Sequence, residues 1–244
     1  MANPICIAHR GVAGLAPENT LVSFQQAMAY DPDAMELDLH LSQDGELIVI
    51  HDGSVDRTTN GKGKVVELTL KELKQLDAGS WFNSKFAGER IPTFAEVLSL
   101  TKNKITLLIE LKAAGTAEKA VPMLEQFGMI NQVIITSFNP EYLQIAKQLN
   151  PNISMMHIFH TDPNKKDTIA PLTYTTRTLA VSANLMAINY GAVTPALIQT
   201  AHQRGLLIGV YSVDIEPDIQ SMVELGVDNI TSNYIDRLLK VVKK

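Results

Sequence analysis

Cysteine occurs once in the 244 residues, at Cys6. No internal disulfide can form, so the chain is expected to hold together on packing alone in a reducing compartment, and a cytoplasmic location is the expectation. Set in the apolar run Ile5 to Ala8, Cys6 reads as a small core hydrophobe. Basic charge is also short. The 21 Lys and Arg are outnumbered by 26 Asp and Glu, for a net charge of -5, and no Lys/Arg stripe is present to replace the counterions of a nucleic acid. Nucleic acid is therefore excluded as the main partner, and an anionic substrate would need a local basic site. Nor does any apolar run reach the ~18 residues of a membrane span. The opening MANPICIAHRG lacks the basic region of a secretory signal, so stable membrane insertion is not expected. The lysines of the closing Lys240 to Lys244 read as complements to a helix dipole. Internal repeats and low-complexity linkers are missing as well, which favours one domain over 1-244.

Apolar material is plentiful, at 45% of the residues. Short runs rich in Ile and Val alternate with longer amphipathic segments, the pattern of strand-helix units in a parallel sheet. Strands are predicted near Ile5–Ala8, Met35–Leu41, Ile105–Glu110, Gln132–Thr136, Ile153–Ile158, Leu185–Asn189, Leu206–Tyr211 and Asn229–Thr231. Asn19-Thr20, Asn139-Pro140, Thr194-Pro195 and Glu216-Pro217 open helices, and Gly226 ends the last of these. Eight such units in one chain of this length predict an α/β fold, a closed (β/α)8 barrel, which typically needs ~250 residues. One segment breaks the rhythm. After the second strand the chain turns at Gln43-Asp44-Gly45, returns as Glu46 to Ile50, and then runs for some fifty residues before the third barrel strand. It is read as a small inserted subdomain at about 53-100, with short helices at Thr69–Leu76 and Thr93–Leu100 and the only tryptophan, Trp81, beside Phe82 and Phe86. Such an insertion walls an active site or merely packs on the barrel, and both readings stay open.

The chemistry gathers at strand ends. Along the extended segment Met35 to Leu41, Glu36 and Asp38 share one face while Leu37, Leu39 and Leu41 take the other. Two carboxylates aimed at one spot resist burial unless a cation, a shared proton or water lies between them. The hairpin returns His51-Asp52 toward these acids. His9-Arg10 follows the first strand directly, and Glu110-Leu-Lys112 closes the third barrel strand. In a barrel, His9, Glu36, Asp38, His51 and Glu110 would converge at the C-terminal rim. Three carboxylates there suit one divalent cation, Mg²⁺ or Ca²⁺. Arg10 and Lys112 suit the oxygens of a phosphate. Two imidazoles beside such a site suggest phosphoryl transfer, one as base and one as acid.

At these residues the chain resembles the bacterial, cytoplasmic type of the glycerophosphodiester phosphodiesterase family. The motifs are HRGVAGLAPENT from His9 to Thr20, Glu36-x-Asp38, His51-Asp52 and IELK from Ile109, continued through DRTTNGKG, LDAGSW and IPTFAEVL. The second half is similar through VYSVD at Val210–Asp214 and GVDNITSNYID at Gly226–Asp236. This resemblance implies a TIM barrel with an inserted small domain. It implies metal-dependent hydrolysis of glycerophosphodiesters such as glycerophosphocholine or glycerophosphoethanolamine to sn-glycerol 3-phosphate and an alcohol, within lipid and glycerol metabolism. Carried over by motif, His9 and His51 are the acid/base pair, Glu36, Asp38 and Glu110 hold the metal, and Arg10 and Lys112 contact the phosphate. Two departures stand out. The family often has Trp-Thr-Val-Asn where this chain has Tyr211-Ser-Val-Asp214, which bears on how the glycerol or head-group end is held, and it has a Pro where this chain has Ile235. Alternatives on the same site are a lysophospholipase D, a phosphoinositide-type phosphodiesterase, or a barrel that binds phosphate esters without catalysis. Barrels often pair, which leaves a homodimer open.

Other polar residues are read more plainly. His40 shares the face of Glu36 and Asp38, yet oxygen donors suit a hard cation better, so it is expected to be structural. Asn19 is either a helix cap or, with Glu18, a contact to the site, and the role of Asp52 is open. His157, His160 and His202 are expected to be structural or surface residues, and Met155, Met156 and Phe159 core.

Overall fold

The computed structural model describes residues 3–161 and 169–243; Lys244 of the closing basic run lies outside them. Each predicted strand lies within one residue of an element. These are β1 (Ile5–Ala8), β2 (Ala34–Leu41), β3 (Leu47–Val49), β4 (Thr106–Leu111), β5 (Val133–Ser137), β6 (Ser154–Phe159), β7 (Leu185–Asn189), β8 (Leu207–Tyr211) and β9 (Asn229–Ser232). The strands follow the order β1-β9-β8-β7-β6-β5-β4-β2, and pairing of β1 with β2 closes them into a parallel eight-stranded barrel. β3 stands outside it. It runs antiparallel to the end of β2, with Leu39 opposite Val49 and Leu41 opposite Leu47, as the hairpin reading required.

Helices fill the outside: α1 (Leu21–Ala29), α2 (Leu70–Leu73), α3 (Phe94–Thr101), α4 (Thr116–Phe127), α5 (Pro140–Leu149), α6 (Pro171–Ala180), α7 (Pro195–Gln203), α8 (Glu216–Leu225) and α9 (Ile235–Val242). The period of two in each strand sorts its side chains into two layers. Leu37, Leu39, Ile109, Ile135, Ile188 and Ile208 point outward into the main core beneath the helices. Ile7, Ala34, Leu108, Met156, Leu185 and Ala187 point inward and plug the lumen. The barrel is thus filled rather than hollow, and anything small must bind above the plug. Gly209 is required in that lumen, because a Cβ there would sit 1.9 Å from Asn229 Oδ1.

Helix starts are largely local. Thr20 caps α1 by accepting from the Ser23 amide, whereas Asn19 is not the cap. Thr69 and Thr93 each form a reciprocal capping box with a Glu three residues on, Glu72 and Glu96. The helix expected over Thr69–Leu76 is only the four residues of α2. Beyond it Asp77 accepts backbone N–H bonds from Gly79, Ser80 and Gly88, and that local bonding competes with further helical turns. Between β3 and β4 the chain packs a small apolar cluster of its own, including Ile48, Ile50, Val55, Leu73 and Ile91, while Phe86 and Phe94 join the main core. Trp81 is 38% exposed, stacks edge-on against Phe82 and donates its indole N–H to the Ala78 carbonyl. Its ring packs and lines no part of the cavity at the C-terminal mouth of the barrel.

Candidate active site

Two residues beyond the lumen plug, the inward side chains of β1, β2 and β4 change from apolar to reactive. On β1 the step is from Ile7 to His9, on β2 from Ala34 to Glu36 and Asp38, and on β4 from Leu108 to Glu110 and Lys112. On β5, β6 and β8 the same step gives Thr136 and Phe138, Ile158 and His160, and Tyr211. A cavity of about 410 Å³ opens at this C-terminal rim, lined by His9, Arg10, Glu36, His51, Glu110 and Lys112 on one side. The opposite wall is apolar and aromatic, with Phe138, Met156, Ile158, Ala187 and Tyr211.

The carboxylate oxygens of Glu36, Asp38 and Glu110 lie within 4.8 Å of one another, and all three residues are buried. Asp38 is fully buried, and among the described residues its Oδ1 has no hydrogen-bond partner. Lys112 Nζ stands 3.6 Å from that oxygen, beyond hydrogen-bond range, while it holds Glu110 at 2.8 Å. Asp38 Oδ2 accepts from the Asn19 amide at 2.8 Å and lies 3.3 Å from Arg10 Nε. Arg10 has a left-handed backbone, φ 50°, a costly turn for a non-glycine. This turn directs its N–H onto Glu36 Oε2 at 3.0 Å and its guanidinium onto Glu18 at 2.8 Å.

Burial, then the nearby Asp38 charge, pushes Glu36 well above the usual carboxyl range and raises Glu110 to about 7. Burial pushes Asp38 upward too, but Arg10 and Lys112 overcome it and hold that carboxyl low. Without a cation, then, the site favours the charged form of Asp38 and the protonated form of Glu36 and Glu110. Among the described residues, the lysines and arginines paired with Glu18, Glu36, Asp38, Glu110 and Asp52 are Arg10, Arg57 and Lys112. With every acid ionised, five negative charges meet three positive ones, and the two left over match one divalent ion. An oxygen-only donor set with one bare buried oxygen fits a hard cation such as Mg²⁺ or Ca²⁺.

The histidines flank this cluster. His9 Nε2 is 3.8 Å from Glu36 Oε2, and its Nδ1 meets Asn233 Oδ1 at 2.7 Å. Burial, aided by the Arg10 charge, lowers His9 to about 4. His51 Nδ1 meets Asp52 Oδ1 at 2.6 Å. Since a carboxylate only accepts, that contact puts a proton on Nδ1. Burial lowers the His51 pKa as well. Asp52 is clamped by Arg57, at 2.7 and 3.1 Å, and Arg57 turns its other face to Glu18 at 2.8 Å. One chain of charge thus runs from His51 through Asp52, Arg57, Glu18 and Arg10 to Asp38.

All seven residues nominated from sequence meet here. His40 does not join them: its Nε2 contacts the His51 carbonyl at 3.0 Å, bracing the hairpin. Asn19 belongs to the site through Asp38 rather than to a helix cap. His160, expected to be structural or at the surface, lines the cavity and stacks on Phe138 with centroids 4.2 Å apart. Tyr211 stands edge-on to the same Phe138, its hydroxyl committed to the Phe159 carbonyl at 2.7 Å. His157 is buried and His202 pairs with Asp228 at the surface, as expected. Sequence reasoning missed Arg57, Phe138, Asp214 and Asn233. Arg57 sits inside DRTTNGKG, and Asp214 and Asn233 inside VYSVD and SNYID, so the motifs held the signal; Phe138 had none.

A family model described as the glycerophosphoryl diester phosphodiesterase family matches residues 9–237. A protein of Caldanaerobacter subterraneus subsp. tengcongensis named glycerophosphodiester phosphodiesterase is 37% identical over 246 residues, covering 98% of each chain. One of that name from Bacillus subtilis is 35% identical over 257 residues, 98% of this chain and 86% of its own. Among solved structures, a phosphodiesterase of Oleispira antarctica in complex with the product sn-glycerol-3-phosphate superimposes with a TM-score of 0.88. It is 27% identical and covers 99% and 98% of the two chains. An Agrobacterium tumefaciens glycerophosphodiester phosphodiesterase gives 0.84 at 29% identity, covering 99% and 100%.

Proposed function

The chain belongs to the glycerophosphoryl diester phosphodiesterase family and is an enzyme of that class, and from that premise we propose that it cleaves small glycerophosphodiesters to sn-glycerol 3-phosphate and an alcohol with one divalent cation. The observation that carries the reading is the bare Asp38 oxygen among three buried carboxylates, set between two imidazoles and two cationic side chains at the mouth of the barrel. Glu36, Asp38 and Glu110 hold the cation. When bound, it supplies the positive charge that offsets what develops on the phosphate oxygens. Arg10 and Lys112 bind and orient those oxygens. His9, kept neutral by burial, takes the proton of the attacking hydroxyl at its free Nε2. The attacking oxygen bonds to phosphorus and the bond to the head-group oxygen breaks. His51, its cationic form supported by Asp52, returns a proton to that leaving alkoxide. The attacking group is water or the glycerol 2-hydroxyl; a cyclic phosphate among the products identifies the latter.

The segment 53-100 serves this one catalytic domain as an accessory, bringing Arg57 to Asp52 and Glu18. A cytoplasmic location fits the single buried cysteine, and among the described residues no helix is long and apolar enough to cross a membrane. The aromatic and aliphatic wall of Phe138, Ile158 and Tyr211 favours a second substrate class, diesters with an apolar substituent such as lysophospholipids. The test is a hydrolysis screen of glycerophosphocholine, glycerophosphoethanolamine, glycerophosphoinositol and lysophosphatidylcholine with Mg²⁺ and with Ca²⁺. Release of sn-glycerol 3-phosphate from the water-soluble diesters is expected. No hydrolysis of any of the four would contradict the reading.

A further inference from the structure

Behind His9 lies a polar chain that the proposed chemistry does not use. His9 Nδ1 meets Asn233 Oδ1 at 2.7 Å, and Asn233 Nδ2 donates to Asp214 Oδ2 at 2.7 Å. The second Asp214 oxygen is filled, accepting from the Asn233 backbone N–H at 2.9 Å and the Ser232 hydroxyl at 3.0 Å. Arg237 Nη1 donates to the Asp214 carbonyl at 3.1 Å and anchors its backbone. The polarity of this chain runs one way. A carboxylate accepts and does not donate, so the Asn233 amide must turn its NH₂ to Asp214 and its oxygen to His9. An amide oxygen accepts as well, so the imidazole nitrogen facing it must carry the hydrogen.

We propose that Asp214, acting through the Asn233 amide, fixes the proton of neutral His9 on Nδ1 and leaves the Nε2 lone pair facing the acid cluster. The competing contacts are weaker. Glu36 Oε2 would draw a hydrogen onto Nε2 but stands 3.8 Å away, out of hydrogen-bond range. The Ser212 hydroxyl is 3.4 Å from Nδ1, and a hydroxyl rotates to accept as readily as to donate. Asp214 and Asn233 are positioning residues: neither lines the cavity, and they act on substrate only through His9. The inference deepens the reading of His9 as proton acceptor and rests on it.

Hydrogen-bond polarity makes the test specific. In Asp214→Asn the new amide can still accept the Ser232 and Asn233 donors on its oxygen, which places its NH₂ against the NH₂ of Asn233. Turning the Asn233 amide over relieves that clash and presents a donor to His9 Nδ1, driving the proton to Nε2. Adding Asn233→Asp restores acceptance: Asp at 233 takes a hydrogen bond from Asn at 214 and another from His9 Nδ1–H. The tautomer is read from long-range proton–nitrogen correlation spectra of isotope-labelled, metal-free protein at about pH 8, where an ordinary imidazole is neutral. The His9 signals are assigned by their loss in His9→Gln, and folding of each variant is checked by its melting temperature.

The wild type is expected to show a protonated Nδ1, D214N a protonated Nε2 or a mixture, and D214N/N233D a protonated Nδ1 again. D214N should lower kcat roughly 10–10²-fold with little change in KM, and the double variant should recover most of the loss. A wild-type protein with its proton on Nε2, or a folded D214N with an unchanged tautomer, overturns the proposal. So does a double variant that stays reversed. The spectra need no substrate. The expected tautomers in a protein that hydrolyses none of the diesters would therefore count against the proposed function alone.

Discussion

Removing the cation should make this protein's stability depend on pH through Glu110, and the sign follows from the direction of its shift. In the folded chain burial and the Asp38 charge raise Glu110 from 4.5 to about 7. Between those values the folded state holds a proton that the unfolded chain has lost. The contribution is fully present below pH 4.5 and disappears as pH rises through about 7. A gap of some 2.5 pH units corresponds to ~3 kcal/mol, a large fraction of a typical domain's stability. His9 works in the opposite sense. Its pKa falls from 6.5 to about 4 on folding, so stability grows as pH rises from about 4 through 6.5, by a similar amount. A bare pH scan of the wild type would largely cancel the two, whereas the difference between wild type and Glu110→Gln removes His9 and keeps Glu110 together with its upward push on Glu36, which has the same sign. Urea titrations of both proteins with chelator present, at about pH 4, 6 and 8, measure it. Wild-type stability relative to the variant is expected to fall by ~3 kcal/mol across that range. Mg²⁺ at 100 times its Kd should return about 2.7 kcal/mol to the wild type at pH 8. A difference that is flat or rises with pH would refute the account of the buried acids.

Replacing His9 or His51 by Ala should lower turnover by about 10²–10⁴ with the melting temperature little changed, and near-normal activity in both would exclude the imidazoles from the chemistry. Cys6, pushed up to about 12 by burial and then by the Asp33 charge, should resist a thiol reagent at pH 8 until the chain is unfolded; rapid labelling of native protein would contradict that burial. Gly209→Ala should destabilise by roughly 1–3 kcal/mol or more, because its Cβ meets Asn229 Oδ1 at 1.9 Å. A melting temperature equal to the wild type's would show that the lumen is looser than described.

The barrel was legible because each strand needs only four to eight residues of Ile- and Val-rich chain, and the acids stand out against that background. Glu36 and Asp38 could be assigned a common face from the period of two alone, and Glu110 joined them once the strands were read as a closed barrel. What could not be read locally were contacts between distant segments. Arg57 lies in a Gly-rich loop with no helical or strand period, and only the fold brings it within 2.8 Å of Glu18, 39 residues earlier. Asp214 and Asn233 are 19 residues apart in sequence, and His9 is 224 residues from Asn233, so their line of hydrogen bonds has no spacing signature. His160 follows a strand without a motif, which suggests a structural or surface role, although the β6 period places it two residues past Ile158 on the cavity face. Asn19 stayed open between two readings for a different reason: the same amide that caps helices also serves a buried carboxylate, and only the fold shows that Thr20 beside it takes the cap.

The central claim is that three carboxylates grip one divalent cation so that a phosphodiester breaks between two imidazoles. It is tested most directly by following glycerophosphocholine with phosphorus NMR, first with chelated protein and then after Mg²⁺ or Ca²⁺ is restored. The account predicts no sn-glycerol 3-phosphate before the cation is added and steady release afterwards, abolished again in Asp38→Asn. Equal release by the chelated protein would contradict it.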